Sequence, residues 1–82
     1  MTLYILRSCP YCQSVLRWLE GRGIDIDIVD VPPFHSMRSA VRDASGQTYV
    51  PTLVDGDVVI ADDDAGIIDY LSRKESALEA AK

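Results

Sequence analysis

The two cysteines of this chain, Cys9 and Cys12, stand where an apolar run, Leu3-Tyr4-Ile5-Leu6, gives way to a helix-like pattern of Val15, Leu16, Trp18 and Leu19. A thiol at the first turn of a helix faces unpaired backbone N–H groups and the positive end of the macrodipole. Both stabilise its thiolate relative to a free cysteine of pKa ~8.5. Pro10 follows directly, and a proline is welcome at the first helical position because its missing N–H would be unpaired anyway. Strand, Cys-x-x-Cys and helix in that order form a redox geometry in which Cys9 is the reactive thiol. A zinc site would need two more donors, and His35 is the one remaining soft candidate. A disulfide between Cys9 and Cys12 closes so short a loop that it hardly constrains the unfolded chain, so stability is not its purpose.

The rest of the sequence sets the limits around that motif. With 82 residues the chain is read as a single small domain over 1–82, near the lower end of what one apolar core can hold together. No repeat, low-complexity stretch or Gly/Ser/Pro-rich linker suggests a second unit. Apolar runs stay far below the ~20 residues that span a bilayer, and residues 1–12 lack the features of a signal peptide. The expectation is therefore a cytoplasmic protein with no membrane partner. A net charge of -5, from 13 acidic and 8 basic residues, argues against nucleic acid as a partner.

Along the chain, Thr2 to Leu6 reads as a buried strand. A helix follows from Pro10 to about Glu20 or Gly21, with Trp18 on its inner, core-facing stripe. Ile24-Asp25-Ile26-Asp27-Ile28-Val29 alternates with period two and predicts a strand, parallel to the first through a βαβ crossover. Met37, Val41 and Ala44 give a short helical stripe over Phe34 to Ala44. Tyr49 to Val54 is a strand, residues 51–60 form a hairpin turning at Asp55-Gly56-Asp57, and Asp62-Asp63-Asp64 opens a last helix that runs towards Leu78. The predicted class is α/β, ordered βαβαββα, with helices flanking a four-stranded mixed sheet.

Three motifs in this order carry a family resemblance. Cys9-Pro10-Tyr11-Cys12 matches the active-site sequence of dithiol glutaredoxins. Val50-Pro51 matches that family's Thr-Val-Pro segment, with Tyr49 in place of Thr, and Asp62-Asp63 falls at its glutathione-binding acidic turn. The chain also resembles the N-terminal, thioredoxin-like domain of glutathione transferases, through Leu3-Tyr4 and through Asp62 to Leu71. The resemblance covers residues 2–72.

That resemblance implies a thioredoxin fold and a glutathione groove. Pro51 would be cis and lie beside the nucleophile, turning the backbone of Val50 outward to pair with glutathione or an extended peptide. Asp62 and Asp63 would meet the γ-glutamyl group, with a backbone N–H to its carboxylate and a side chain to its ammonium. Tyr11 would pack on the bound tripeptide. The cation for the glycine carboxylate is open between Arg7, which lies two rather than three residues before Cys9, and Arg38, thirteen residues before Pro51. Helix capping by the aspartates and a solvated helix face for Arg38 are the plain structural alternatives. His35 reads as a loop surface residue.

The implied chemistry is thiol–disulfide exchange with glutathione as cosubstrate and no metal. Cys9 attacks a disulfide or glutathionylated protein, and Cys12 or a second glutathione resolves the mixed disulfide. Such a protein serves electron transport and cell redox homeostasis, and a monomer is expected. The alternatives are a redoxin fed by thioredoxin reductase or another small thiol, a module holding glutathione or a [2Fe-2S] cluster between two copies, and a transferase fragment.

Overall fold

The computed structural model describes residues 1–80, with side chains described to Ser76. The elements are β1 (Thr2–Ile5), α1 (Pro10–Leu19), β2 (Asp27–Asp30), a short 3-10 turn (His35–Met37), α2 (Ser39–Ser45), β3 (Thr52–Asp55), β4 (Val58–Ala61) and α3 (Asp64–Ala80). The four strands form one mixed sheet in the order β2-β1-β3-β4. β2 runs parallel to β1, while β3 runs antiparallel to both β1 and β4. The predicted βαβαββα order and mixed sheet are therefore present. Leu78, towards which the last helix was expected to run, lies outside the described side chains.

Leu3, Ile5, Cys12, Val15, Val41, Leu53, Ile67 and Leu71 are fully buried and form the core. They come from β1, α1, α2, β3 and α3, so one cluster holds the sheet and all three helices together. Each such aliphatic side chain contributes roughly 1.5–3 kcal/mol of transfer free energy on burial. α1 packs on α3 and α2 on β3.

Several boundaries differ from the sequence reading, each for a local reason. β1 stops at Ile5 because the polar groups of Leu6 leave the ladder. Its carbonyl accepts Cys9 N–H at 2.9 Å and its N–H reaches Cys12 Sγ at 3.4 Å. β2 starts at Asp27, since Ile24 to Ile26 lie beyond a ladder that opens at Thr2↔Asp27. In β2 the alternation is not a buried and a solvated face: the strand lies at the sheet edge and Ile28 is 40% exposed. The helix expected over Phe34 to Ala44 is broken at Arg38 (φ -97, ψ 53), leaving Met37 exposed. α2 ends at Gly46, whose φ of 77 is the left-handed cap that glycine adopts without a Cβ penalty.

β3 begins at Thr52 rather than Tyr49, because the side chain of Gln47 takes Tyr49 N–H at 2.6 Å. Nor is Trp18 fully core. It is half-buried, with the Arg22 guanidinium 4.0 Å above its ring, and Arg22 also pairs with Glu75 of α3 at 2.9 Å.

Candidate functional site

The loop after β1 delivers Cys9 to the N-cap of α1 in an extended conformation (φ -76, ψ 124), with Pro10 just inside the helix. Cys9 O accepts the first intrahelical bond, from Gln13 N–H at 3.0 Å. The Cys9 side chain makes no capping bond, so the helix-end N–H groups it adjoins are not consumed by it. One turn on, Cys12 is fully buried. Both thiols are free, and Cys9 is half-exposed.

Burial pushes the Cys12 thiol up to about 11. The Leu6 N–H bond pulls against this, contact with the Cys9 thiol adds to the rise, and the Arg38 charge lowers it slightly. The dithiol is therefore asymmetric: one accessible thiol at a helix end, and one buried thiol held protonated behind it.

The second wall comes from the segment before β3. The Val50–Pro51 bond is cis, as the resemblance implied. Pro51 lines the same pocket as Tyr11, the residue between the two cysteines, so this segment meets the start of α1. The Val50 side chain is buried, while its backbone N–H and C=O find no hydrogen-bond partner among the described residues.

Tyr11, Pro51, Asp62 and Asp64 line a pocket of about 250 Å³. Tyr11 is 62% exposed, with its ring free to cover an occupant. Asp62 sits at φ 54, and its N–H is bound to Pro51 O at 2.9 Å, which fastens this corner to the cis-proline turn.

Among the predicted residues, Asp63 is drawn away. Its Oδ1 accepts Gly66 N–H at 2.9 Å and its carbonyl accepts Ile67 N–H at 3.0 Å, so it is the N-cap of α3. A Cβ on residue 66 would run into the Asp63 carboxylate that caps the helix, so glycine leaves that cap undisturbed. The pocket carboxylate that sequence reasoning missed is Asp64. The triple aspartate was the available signal, but which member faces the groove follows from the turn at Asp62.

Neither candidate arginine is free. The exposed Arg7 is paired with Asp30 at 3.0 Å. Arg38 lies on no solvated face: it is 4% exposed and donates to the carbonyls of Pro32 (2.7 Å), Thr48 (2.9 Å) and Pro33 (3.2 Å). His35 is at the surface, as expected, where its Nδ1 meets Thr48 Oγ1 at 3.0 Å and its ring packs edge-on against Tyr49. Among the described residues no cluster of three or more His, Cys, Asp or Glu is arranged to hold a metal ion, and no helix is long and apolar enough to cross a membrane.

A four-stranded mixed sheet carrying a Cys-x-x-Cys at a helix start beside a cis-proline defines a thioredoxin-like protein. Within that class, the chain belongs to the glutathione S-transferase N-terminal domain family, whose model matches residues 3–78. It is 29% identical over 59 residues to an uncharacterized glutaredoxin-like 8.6 kDa protein in the rubredoxin operon of Clostridium pasteurianum, a match covering 71% of this chain and 79% of the relative. It is also 29% identical over 58 residues to the glutaredoxin-like protein NrdH of Escherichia coli, covering 71% of this chain and 70% of that one.

Among solved structures, it resembles glutathione S-transferase unclassified 2 from Bombyx mori, with a TM-score of 0.77, 26% identity and 90% of this chain covered. It likewise resembles glutathione S-transferase 1-6 from Anopheles dirus species B, at 0.76, 26% and 92%. The chain spans 35% and 36% of the length of those two transferases.

Proposed function

We propose that the protein is a thiol–disulfide oxidoreductase of the glutaredoxin type, working through the Cys9/Cys12 dithiol on glutathionylated or disulfide-bearing proteins. The observation that carries this reading is the asymmetry of the pair: Cys9 half-exposed at the N-cap, Cys12 fully buried.

The Cys9 thiolate attacks one sulfur of a disulfide, forming a mixed disulfide and releasing the other half as a thiolate. Cys12 then attacks Cys9 Sγ, closing the Cys9–Cys12 bond. Its proton leaves with the second substrate thiol, so the substrate gains two electrons and the dithiol loses them. Burial holds Cys12 protonated in the free dithiol. A second glutathione attacking the Cys9 mixed disulfide is the alternative resolving route. The unpaired backbone of Val50 and the acidic corner at Asp62 support glutathione as cosubstrate.

A second reading, a redoxin fed by thioredoxin reductase or another small thiol, is favoured by one observation. The two cations expected to meet the glycine carboxylate, Arg7 and Arg38, are already engaged within the protein. An assay on a glutathione mixed disulfide, run with glutathione and in parallel with thioredoxin reductase, separates the two. Turnover with the reductase alone refutes glutathione dependence. Cys12→Ser is expected to keep deglutathionylation and lose reduction of protein disulfides, and loss of both refutes the two-route scheme.

A further inference from the structure

The groove wall formed by Thr48 to Pro51 precedes β3, so no strand ladder holds it. Side chains hold it instead. Gln47 Oε1 accepts Tyr49 N–H at 2.6 Å, and Thr52 Oγ1 donates to Tyr49 O at 2.6 Å while accepting from Gln47 Nε2 at 3.0 Å. These bonds are local to the turn.

Three contacts reach across to other parts of the fold: Asp62 N–H to Pro51 O, His35 to Thr48, and Arg38, which makes the most bonds of the three. Its Nη1 donates to Thr48 O, while Nε and Nη2 donate to the carbonyls of Pro32 and Pro33 in the loop after β2. Nη1 also lies 3.5 Å from His35 Nε2, and His35 Nδ1 in turn meets Thr48 Oγ1. With Nδ1 protonated, that ring would donate to Thr48 and accept from Arg38.

We propose that Arg38 is the positioning residue of the groove: its buried guanidinium fastens Thr48–Pro51 to the loop after β2 and so fixes the backbone of Val50 beside the Cys9 turn, without touching the substrate. The proposal rests on the reading of this groove as the disulfide-binding site. Three features carry it.

First, a guanidinium at 4% exposure makes no ion pair with a carboxylate among the described residues, so it is held by backbone carbonyls, one of which, that of Thr48, belongs to the segment leading into Val50–Pro51. Second, the planar fork suits several carbonyls at fixed angles, which a lysine ammonium does not reproduce. Third, each of its nitrogens already donates inside the protein, which leaves little for a ligand carboxylate. Its charge also acts on Cys12, lowering that thiol's pKa against burial, so the same side chain bears on both walls.

The test combines NMR with kinetics on the full chain. The Arg38 Nε–H is expected to be a resolved, slowly exchanging signal. It should keep its shift when glutathione is trapped on Cys9 of the Cys12→Ser protein as a mixed disulfide. A large shift with contacts to the glycine of the tripeptide overturns the proposal in favour of direct ligation.

In Arg38→Lys, the KM for a disulfide substrate should rise about tenfold, with kcat changed less than about twofold and with faster amide exchange at Thr48, Tyr49 and Val50. An unchanged KM in a folded Arg38→Lys protein overturns it. If that variant fails to fold, the shift experiment, which leaves Arg38 in place, decides alone. A chain that forms no mixed disulfide at Cys9 refutes the redox reading, whereas one that forms it while the Arg38 signal moves refutes the clamp alone.

Discussion

Asp63 accepts the amide hydrogen of Gly66 at 2.9 Å, and this one bond separates two carboxylates that look alike in the sequence: Asp63 caps α3 while Asp64 lines the pocket. The two should therefore respond differently to substitution. Asp63→Ala removes a cap and is expected to cost about 1 kcal/mol of stability, read from denaturant midpoints. Asp64→Asn, in the first turn of α3, should cost less stability than Asp63→Ala, on the order of 0.3–1 kcal/mol through the helix dipole, and alter the KM for glutathione disulfides. A reversal of the two outcomes would contradict the assignment of roles.

Alkylation should discriminate the thiols. At neutral pH, iodoacetamide should modify the half-exposed Cys9 and spare the buried Cys12. By mass spectrometry, Cys9→Ser should take up no label under native conditions, and Cys12→Ser should take up as much as the wild type. Labelling of Cys12 in the folded protein would undo the asymmetry on which the mechanism stands.

Stability of the reduced protein should fall at alkaline pH because of Cys12. Its folded pKa is raised to about 11 from an ordinary 9.0, so the unfolded chain releases this proton first. The stabilisation from keeping Cys12 protonated is complete below pH 9 and is lost as pH climbs through the folded value. Relative to Cys12→Ala, the wild type should lose on the order of 1–2 kcal/mol between those limits. The difference between the two proteins is what must be measured, since Tyr70 and Lys74 also titrate in the alkaline range. A constant difference would refute burial as the cause of the shift.

At the other pole of the sheet, Asp55 accepts from both Tyr70 and Lys74, and the Lys74 bond is the larger cause of its lowered carboxyl pKa. A depressed carboxyl contributes stability that is present above its ordinary value of 3.8 and lost as pH falls through the folded value. Asp55→Asn should therefore lower the thermal midpoint at pH 7, with the gap to wild type narrowing as the solution is acidified below pH 4. High salt should shrink the gap at pH 7 as well, because the cluster is partly open to solvent.

The dithiol and the element order were legible in the sequence because each rests on local chemistry, whereas the cis-proline followed only from the family resemblance. A proline after a cysteine at a strand end, alternation, and a turn of Asp55-Gly56-Asp57 all act over a few residues. What escaped was decided across the fold. Arg38 was open between a cation for the glutathione carboxylate and a solvated helix face, and only the approach of Pro32, Pro33 and Thr48 turns it inward and breaks the expected helix. Trp18 reads as core by its stripe, yet Arg22 covers one face of its ring at the edge of α3. Asp62 to Asp64 read as a block, and their division of labour depends on a positive φ at Asp62 that no pattern announces.

Trp18 is the sole tryptophan of the chain. It stands six residues beyond Cys12 on α1, roughly 9 Å along the helix axis, beneath a guanidinium that is itself tethered to Glu75 of α3. Its fluorescence is thus an optical gauge of how closely two helices are seated. A spectral change on oxidation of the thiols would mean that electron transfer at one end of α1 is felt as movement at the other.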